Sequence, residues 1–263
     1  MKLFTLPNFS RGKYMKRAKI IVIEGTDGSG KETQSNKIKE YYISKGLNVK
    51  SFSFPQYETP TGKIVGASYL GKPEMGESVF PETSANVDPL VSSLYYAADR
   101  RYNFLKFIEE EIYQNDIIIL DRYTTSNMGH QAGKAKSKEQ EDKILRFILE
   151  LEFDLCELPK PDVVVFLYMP FEAAKELRKG RTSSDGNENS EEHLRKAEQT
   201  YLDISSRYNW ARIDCTKRTF KSLDDIKSID EITKEIIEHL DTELKKEPYM
   251  IKRMTRFWGK YDK

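Results

Sequence analysis

K-I-I-V-I-E-G-T-D-G-S-G-K-E-T, residues 19–33, decides the fold. A β-branched apolar run breaks into a glycine-rich turn, and a lysine then opens a helical pattern over Lys31–Ser44, with Ile38, Tyr41 and Tyr42 on one stripe. Strand, loop, lysine and helix together are the context that makes a phosphate-binding loop credible. The glycines let backbone N–H groups turn inward around phosphate oxygens without a Cβ in the way. The helix N-terminus adds free N–H groups and partial positive charge. The candidate nucleotide-binding residues are therefore Gly25, Thr26, Asp27, Gly28, Ser29, Gly30, Lys31, Glu32 and Thr33. Lys31 reaches the β- and γ-phosphates as a point charge. Glu32 stands where a Ser or Thr would normally face Mg²⁺, and Thr33 comes one residue later. A carboxylate about 6 Å from a phosphate charge costs on the order of 3 kcal/mol at an effective dielectric of about 20. Glu32 should then point away or face the metal. The simpler reading is that it favours the helix N-terminus, leaving Thr33 or water to serve Mg²⁺.

Outward from this stretch, short apolar runs alternate with helical patterns. Strands are expected at Lys19–Glu24, Val49–Phe54, Ile117–Asp121, Asp162–Met169 and Trp210–Asp214. Helices are expected at Pro89–Tyr113, Glu139–Phe153, Phe171–Lys179, Ser190–Tyr208 and Ile229–Leu240. That order implies an α/β three-layer sandwich, a five-stranded parallel sheet with helices on both faces. Runs such as Ile-Ile-Ile-Leu and Val-Val-Val-Phe-Leu fit a sheet covered on both sides. No linker splits the region, so residues 18–243 read as one domain. Residues 1–17 form a basic, acid-free extension, and residues 244–263 form a tail carrying Trp258.

The chain has 263 residues, with 43 Lys and Arg against 42 Asp and Glu, for a net charge of +1. This balance argues against a nucleic-acid-coating protein and against a polybasic membrane binder. The apolar runs are too short to span a bilayer. Two cysteines, Cys156 and Cys215, cannot build a disulfide framework or a zinc site alone, so a cytoplasmic, reducing compartment is expected. The basic extension leaves organelle targeting as an alternative.

Four further segments narrow the ligand: F-P-Q-Y at 54–57, Y-Y-A-A-D-R-R at 95–101, D-R-Y-T-T-S-N-M-G-H-Q at 121–131, and L-P-K-P-D-V-V-V-F-L-Y-M-P at 158–170. In order and spacing this set resembles the thymidylate kinase family of P-loop nucleoside-monophosphate kinases, over roughly residues 18–240. The resemblance implies the family fold with a mobile lid, here about residues 178–190. It also implies transfer of the γ-phosphoryl of ATP, with Mg²⁺, to dTMP, giving dTDP and ADP for dTTP synthesis, and a homodimer.

Chemistry and resemblance together assign roles. Asp27 is badly placed for ATP but can accept from the acceptor's 3′-hydroxyl. Asp121 ends a strand pointing at the phosphates and can hold hydrated Mg²⁺. Arg122 offers a planar fork to the acceptor phosphate. Tyr96 and Arg100, four residues apart on one helix face, can stack on a pyrimidine and donate to a base carbonyl. Asn127 suits the imide edge of thymine or uracil. Phe54, Pro55, Ser126, His130 and Gln131 complete the acceptor set; His130 either senses the sugar 2′ position or is a satisfied structural histidine. Two positions depart from the family. Tyr57 stands where an Arg often grips the acceptor phosphate, and Gly28 stands where some members carry an Arg. Arg178 and Arg181, flanking the lid, are the expected replacements for that charge. A dUMP-accepting kinase and a non-catalytic nucleotide-binding regulator remain the competing readings.

Overall fold

The computed structural model describes residues 17–179 and 190–245. Its elements, in chain order, are β1 (Lys19–Gly25), α1 (Lys31–Ser44), β2 (Val49–Ser53), α2 (Pro60–Lys63), α3 (Pro89–Asn103), α4 (Glu111–Gln114), β3 (Ile117–Asp121), α5 (Thr124–Ala132), α6 (Lys138–Leu149), β4 (Val163–Tyr168), α7 (Phe171–Arg178), α8 (Glu191–Arg207), β5 (Ala211–Asp214) and α9 (Ile229–Leu244). All five strands are parallel, in the order β2-β3-β1-β4-β5. The sequence order reverses direction about β1, and such a switch point is where ligands bind in open α/β sheets. The phosphate-loop pattern follows β1 directly.

The pleat of β1 explains the two cores. Ile21 and Ile23 face a cluster with Ile38, Tyr42, Ile232 and Ile236 from α1 and α9. Ile20 and Val22 face the opposite cluster with Phe54, Phe104, Ile108 and Tyr123. A strand buried on both faces has no polar side, which is why it reads as continuous isoleucine and valine. Glu24 falls on the Ile20 and Val22 side by the same alternation.

Two helix expectations are revised. Pro89–Tyr113 is not one helix: α3 ends at Asn103, a π-helical turn runs over Phe104–Ile108, and α4 follows. The helix expected at Glu139–Phe153 likewise passes from α6 into a π-helical turn at Glu150–Leu155. F-P-Q-Y leads into α2, whose start is set by the Thr59 hydroxyl accepting from Gly62 N–H and by proline at the first helical position. Arg17, assigned to the extension, is tied to Asp162 by a forked ion pair at 2.6 and 3.1 Å. The rest of the extension, residues 1–16, and the Trp258 tail lie outside the described residues. Among the described residues no helix is long and apolar enough to cross a membrane.

Candidate active site

The loop between β1 and α1 is shaped by Gly28 and Gly30, both at φ +77°, where a Cβ would be strained. Thr26 does not point its hydroxyl at a ligand. It donates to Met169 O at 2.7 Å and accepts from Met169 N–H at 2.9 Å, stitching the loop to the end of β4. Lys31 Nζ donates to Gly25 O and Thr26 O, both at 3.0 Å. Burial, with the nearby Arg122 charge, pulls its ammonium down to about 8. Ser29 Oγ is buried without a hydrogen-bond partner, one unspent polar atom in the loop. Below the loop, buried Glu24 accepts from Thr125 Oγ1 and Ser126 Oγ, both at 2.7 Å, and from Tyr201 OH at 3.2 Å. Glu24 thereby ties β1 to α5 and α8.

Asp27 and Arg122 meet across the loop, Nη2 to Oδ1, at 3.0 Å. Burial works against charge on Asp27, but Arg122 and Lys31 outweigh it and hold the carboxyl well below the usual range. Arg122 itself sits at φ 63°, an uncommon conformation for a residue with a side chain, and its N–H donates to Ile23 O at 3.0 Å. That turn, between β3 and α5, aims the guanidinium back at the loop. Asp121 ends β3. Burial raises its carboxyl, and Glu24 and Glu32 add to the rise while Arg122 and Lys31 oppose it. Glu32 and Thr33 are both exposed on the first turn of α1. Glu32, although exposed, adds to the rise at Asp121. Carboxylate oxygens such as those of Asp121 and Glu32 are the hard donors a magnesium ion takes. Among the described residues no three acidic, histidine or cysteine side chains cluster to hold a metal alone. The remaining ligands would be phosphate oxygens and water.

The acceptor residues converge, but several are already committed. Phe54, expected at the substrate, is in the core against Tyr123, ring centroids 5.9 Å apart. The Phe54–Pro55 peptide bond is cis. Ser126 gives its hydroxyl to Glu24 rather than leaving it for a ligand. Gln131 is buried, with Oε1 unpartnered. His130 stacks on His193 of α8, with Nδ1 and Nε2 3.3 Å apart. Of its two readings, the histidine contact within the protein is the one present. Tyr57 and Tyr96 both pack against the cluster of Val65, Tyr69 and Leu70. The charge expected to be missing at Tyr57 has a neighbour: the Lys72 ammonium lies 4.6 Å from the Tyr57 ring centroid.

Arg100 and Asn127 come together through a residue absent from the sequence-based site. Glu152 is fully buried and accepts from Arg100 Nε at 2.5 Å, Arg100 Nη2 at 2.6 Å and Asn127 Nδ2 at 2.7 Å. Tyr96 lies alongside, its ring centroid 6.0 Å from the Arg100 guanidinium carbon. A signal for Glu152 was available: Ile144, Ile148 and Glu152 recur every four residues, so an acid falls on the apolar stripe of α6. Asp99 was also missed. It is buried and accepts from Gln56 N–H at 3.1 Å, Thr61 Oγ1 at 3.0 Å and Asn103 Nδ2 at 2.7 Å, fastening the F-P-Q-Y turn to α3.

Arg178 closes α7 and lines a cavity of about 20 Å³ with Thr26, Asp27, His130 and Phe171. Its Nη1 is buried without a hydrogen-bond partner, while the guanidinium carbon lies 5.9 Å from the Phe171 ring centroid. Arg181, and with it nearly all of the expected lid, lies outside the described residues.

Comparison with known proteins places this geometry. A family model described as thymidylate kinase matches residues 23–226. The thymidylate kinase of Homo sapiens is 28% identical over 222 residues, covering 82% of this chain and 91% of that one. A probable thymidylate kinase of Methanocaldococcus jannaschii is 31% identical over 223 residues, covering 84% and 94%. The solved thymidylate kinase of Candida albicans superimposes with a TM-score of 0.60 at 25% identity, over 86% of this chain and 94% of that one. The solved enzyme of Ehrlichia chaffeensis, at 23% identity and a TM-score of 0.55, shares the fold. Matched by the family model over most of its length, and carrying the phosphate loop, the Asp27–Arg122 pair and the Tyr96–Arg100 face in one place, the chain belongs to the thymidylate kinase family.

Proposed function

We propose that the protein transfers the γ-phosphoryl of ATP to the 5′-phosphate of dTMP, giving dTDP and ADP. The observation that carries this reading is the 3.0 Å contact between Arg122 and Asp27. It puts a fork suited to the acceptor phosphate against the loop suited to the donor phosphates. Phosphoryl transfer is mostly alignment and charge neutralisation, and no side chain is needed as a covalent participant. Lys31, released from Gly25 O and Thr26 O, meets the donor phosphates. Arg122 holds the acceptor phosphate, and Asp27 accepts from the sugar 3′-hydroxyl. Tyr96 stacks on the base, and Arg100 with Asn127 read its edge. Arg178, with Arg181 on the lid, brings positive charge over the donor and excludes water.

Asp121, with Thr33 or Glu32, would hold Mg²⁺, which when bound neutralises phosphate charge. A homodimer is part of the proposal. Val91 and Leu94 on α3, and Leu105 and Phe107 just beyond it, are exposed apolar side chains available to bury. The free cysteines Cys156 and Cys215 suit a reducing compartment such as the cytoplasm.

The test is ADP release from ATP and Mg²⁺ with dTMP, dUMP, dCMP, dGMP and AMP, each separately. A strong preference for dTMP is the expected result. Equal use of dUMP would widen the acceptor to uracil, since one methyl is worth only about 1–3 kcal/mol in a pocket. No acceptor-dependent release would leave a nucleotide-binding regulator.

A further inference from the structure

We propose that Glu152 is the positioning residue that sets which pyrimidine edge the acceptor pocket reads, a proposal that rests on the pyrimidine-monophosphate reading above. Glu152 touches neither the loop nor the Asp27–Arg122 pair in the hydrogen-bond network. Its two oxygens are spent on the two side chains expected at the base. It sits on the π-helical turn that follows α6, and such turns recur where a helix re-aims a side chain.

The orientation of the Asn127 amide follows from its neighbours. Nδ2 donates to Glu152 Oε1 at 2.7 Å and to Ser93 O at 3.3 Å. A carboxylate and a backbone carbonyl are both acceptors, so the amide nitrogen must face them and both its hydrogens are used. What Asn127 retains for a ligand is Oδ1, an acceptor. Arg100 spends Nε and Nη2 on the same carboxylate. What it retains is Nη1, a donor. Both heads are anchored on Glu152 Oε1, which leaves one donor on Arg100 and one acceptor on Asn127 for a base. That pattern complements a 4-oxo pyrimidine with a protonated N3: C4=O accepts and N3–H donates. Cytosine offers the reverse, an N4 amine and an unprotonated N3, and would set donor against donor and acceptor against acceptor. Desolvated mismatches of this kind are rejected far more strongly than a missing methyl. Discrimination against cytosine is thus built into the carboxylate of Glu152, which, with the longer contact to Ser93 O, keeps the amide of Asn127 from turning over.

The burial also separates this role from simple stabilisation. A buried ion pair gives little net stability compared with apolar packing, because desolvation offsets its Coulomb gain. Apolar side chains would fill this space, but they would not fix the amide.

The experiment compares kcat and KM for dTMP and dCMP in wild type, Glu152→Gln and Glu152→Asp, with thermal melting alongside. A glutamine can donate to Asn127 and so lets its amide flip. The expected result is a fall of about tenfold or more in the dTMP:dCMP ratio of kcat/KM, chiefly through KM. Aspartate keeps the charge but withdraws it by one methylene, and is expected to give a smaller fall in the same ratio. If the glutamine variant does not fold, the aspartate variant supplies the same readout. A purely structural role lowers the melting temperature and both activities alike and leaves the ratio unchanged; that outcome overturns the proposal. Wild type that uses neither pyrimidine monophosphate overturns the parent reading and this one with it. Wild type that prefers dTMP, with variants of unchanged selectivity, overturns the Glu152 assignment alone.

Discussion

Arg122 joins the two halves of the site through a single residue, held at φ 63° on the turn between β3 and α5. Arg122→Lys keeps a charge but loses the fork. It is expected to lower kcat/KM for the acceptor by roughly 10- to 100-fold, about 1.4–2.7 kcal/mol, in steady-state assays. A variant within twofold of wild type would remove Arg122 from phosphate binding. Lys31 adds a pH dependence. Its ammonium is held down near 8, mainly by burial. Above that pH the free protein carries a neutral Lys31 that cannot attract phosphate. The dissociation constant for ATP should weaken by up to about tenfold per pH unit above 8, measurable by titration calorimetry. These residues were legible because glycine, lysine and arginine at fixed spacing have a local mechanism. For Glu152 the spacing after Ile144 and Ile148 signals a buried acid but not its partners, which lie 52 and 25 residues away in the chain. The commitment of Ser126 to Glu24, 102 residues distant, was hidden for the same reason.

Helices α5 and α8 meet at Gly129, where an added Cβ would lie 2.2–2.5 Å from the Tyr201 ring. Gly129→Ala must therefore push α8 away or displace Tyr201, whose hydroxyl bonds to Glu24. A destabilisation of about 1–3 kcal/mol is expected from such overpacking, read from the urea midpoint; an unchanged midpoint would mean that the interface yields freely. The join between the F-P-Q-Y turn and α3 depends on Asp99. Asp99→Ala takes the carboxylate acceptor from the Gln56 N–H and the Thr61 hydroxyl, while the Asn103 amide keeps the backbone carbonyl of residue 99. Losing a buried partner costs about 1–3 kcal/mol. Because Tyr57 lies on that turn, KM for the monophosphate should rise with little change in kcat. Strands were legible to within a residue or two, since continuous burial leaves a plain apolar signature. The π-helical turns after α3 and α6 were not. Their sequences continue the helical pattern, and only packing against neighbouring elements selects the wider turn.

Across the whole molecule, the His130–His193 stack joins α5 to α8 beside the loop. Burial, with His193 next, lowers His130 to about 3; burial, with Lys134 next, lowers His193 to about 4. Arg122, Lys31 and Lys196 also act against charge on one or other ring, and Asp27 acts in favour. Both folded values lie below the ordinary 6.5, so the unfolded chain takes up protons that the folded chain refuses. This contribution to stability is complete above about pH 6.5 and is lost as pH falls toward 4 and 3, by at most about 1.4 kcal/mol per pH unit for each histidine. Melting temperature should therefore drop between pH 7 and 4.5, and His193→Phe should flatten that drop. A variant as pH-sensitive as wild type would deny the pair this role. The sequence alone determined the parallel sheet, the phosphate loop and the family, because strand burial and loop geometry are written in adjacent residues. Tertiary structure alone decided which candidate side chains already have partners. Phe54 packs in the core, Ser126 gives its hydroxyl to Glu24 and His130 stacks on His193, while Glu152, Asp99 and Lys72 enter from other segments. Such pairings depend on desolvation and on contacts between distant parts of the chain, and no local spacing encodes them.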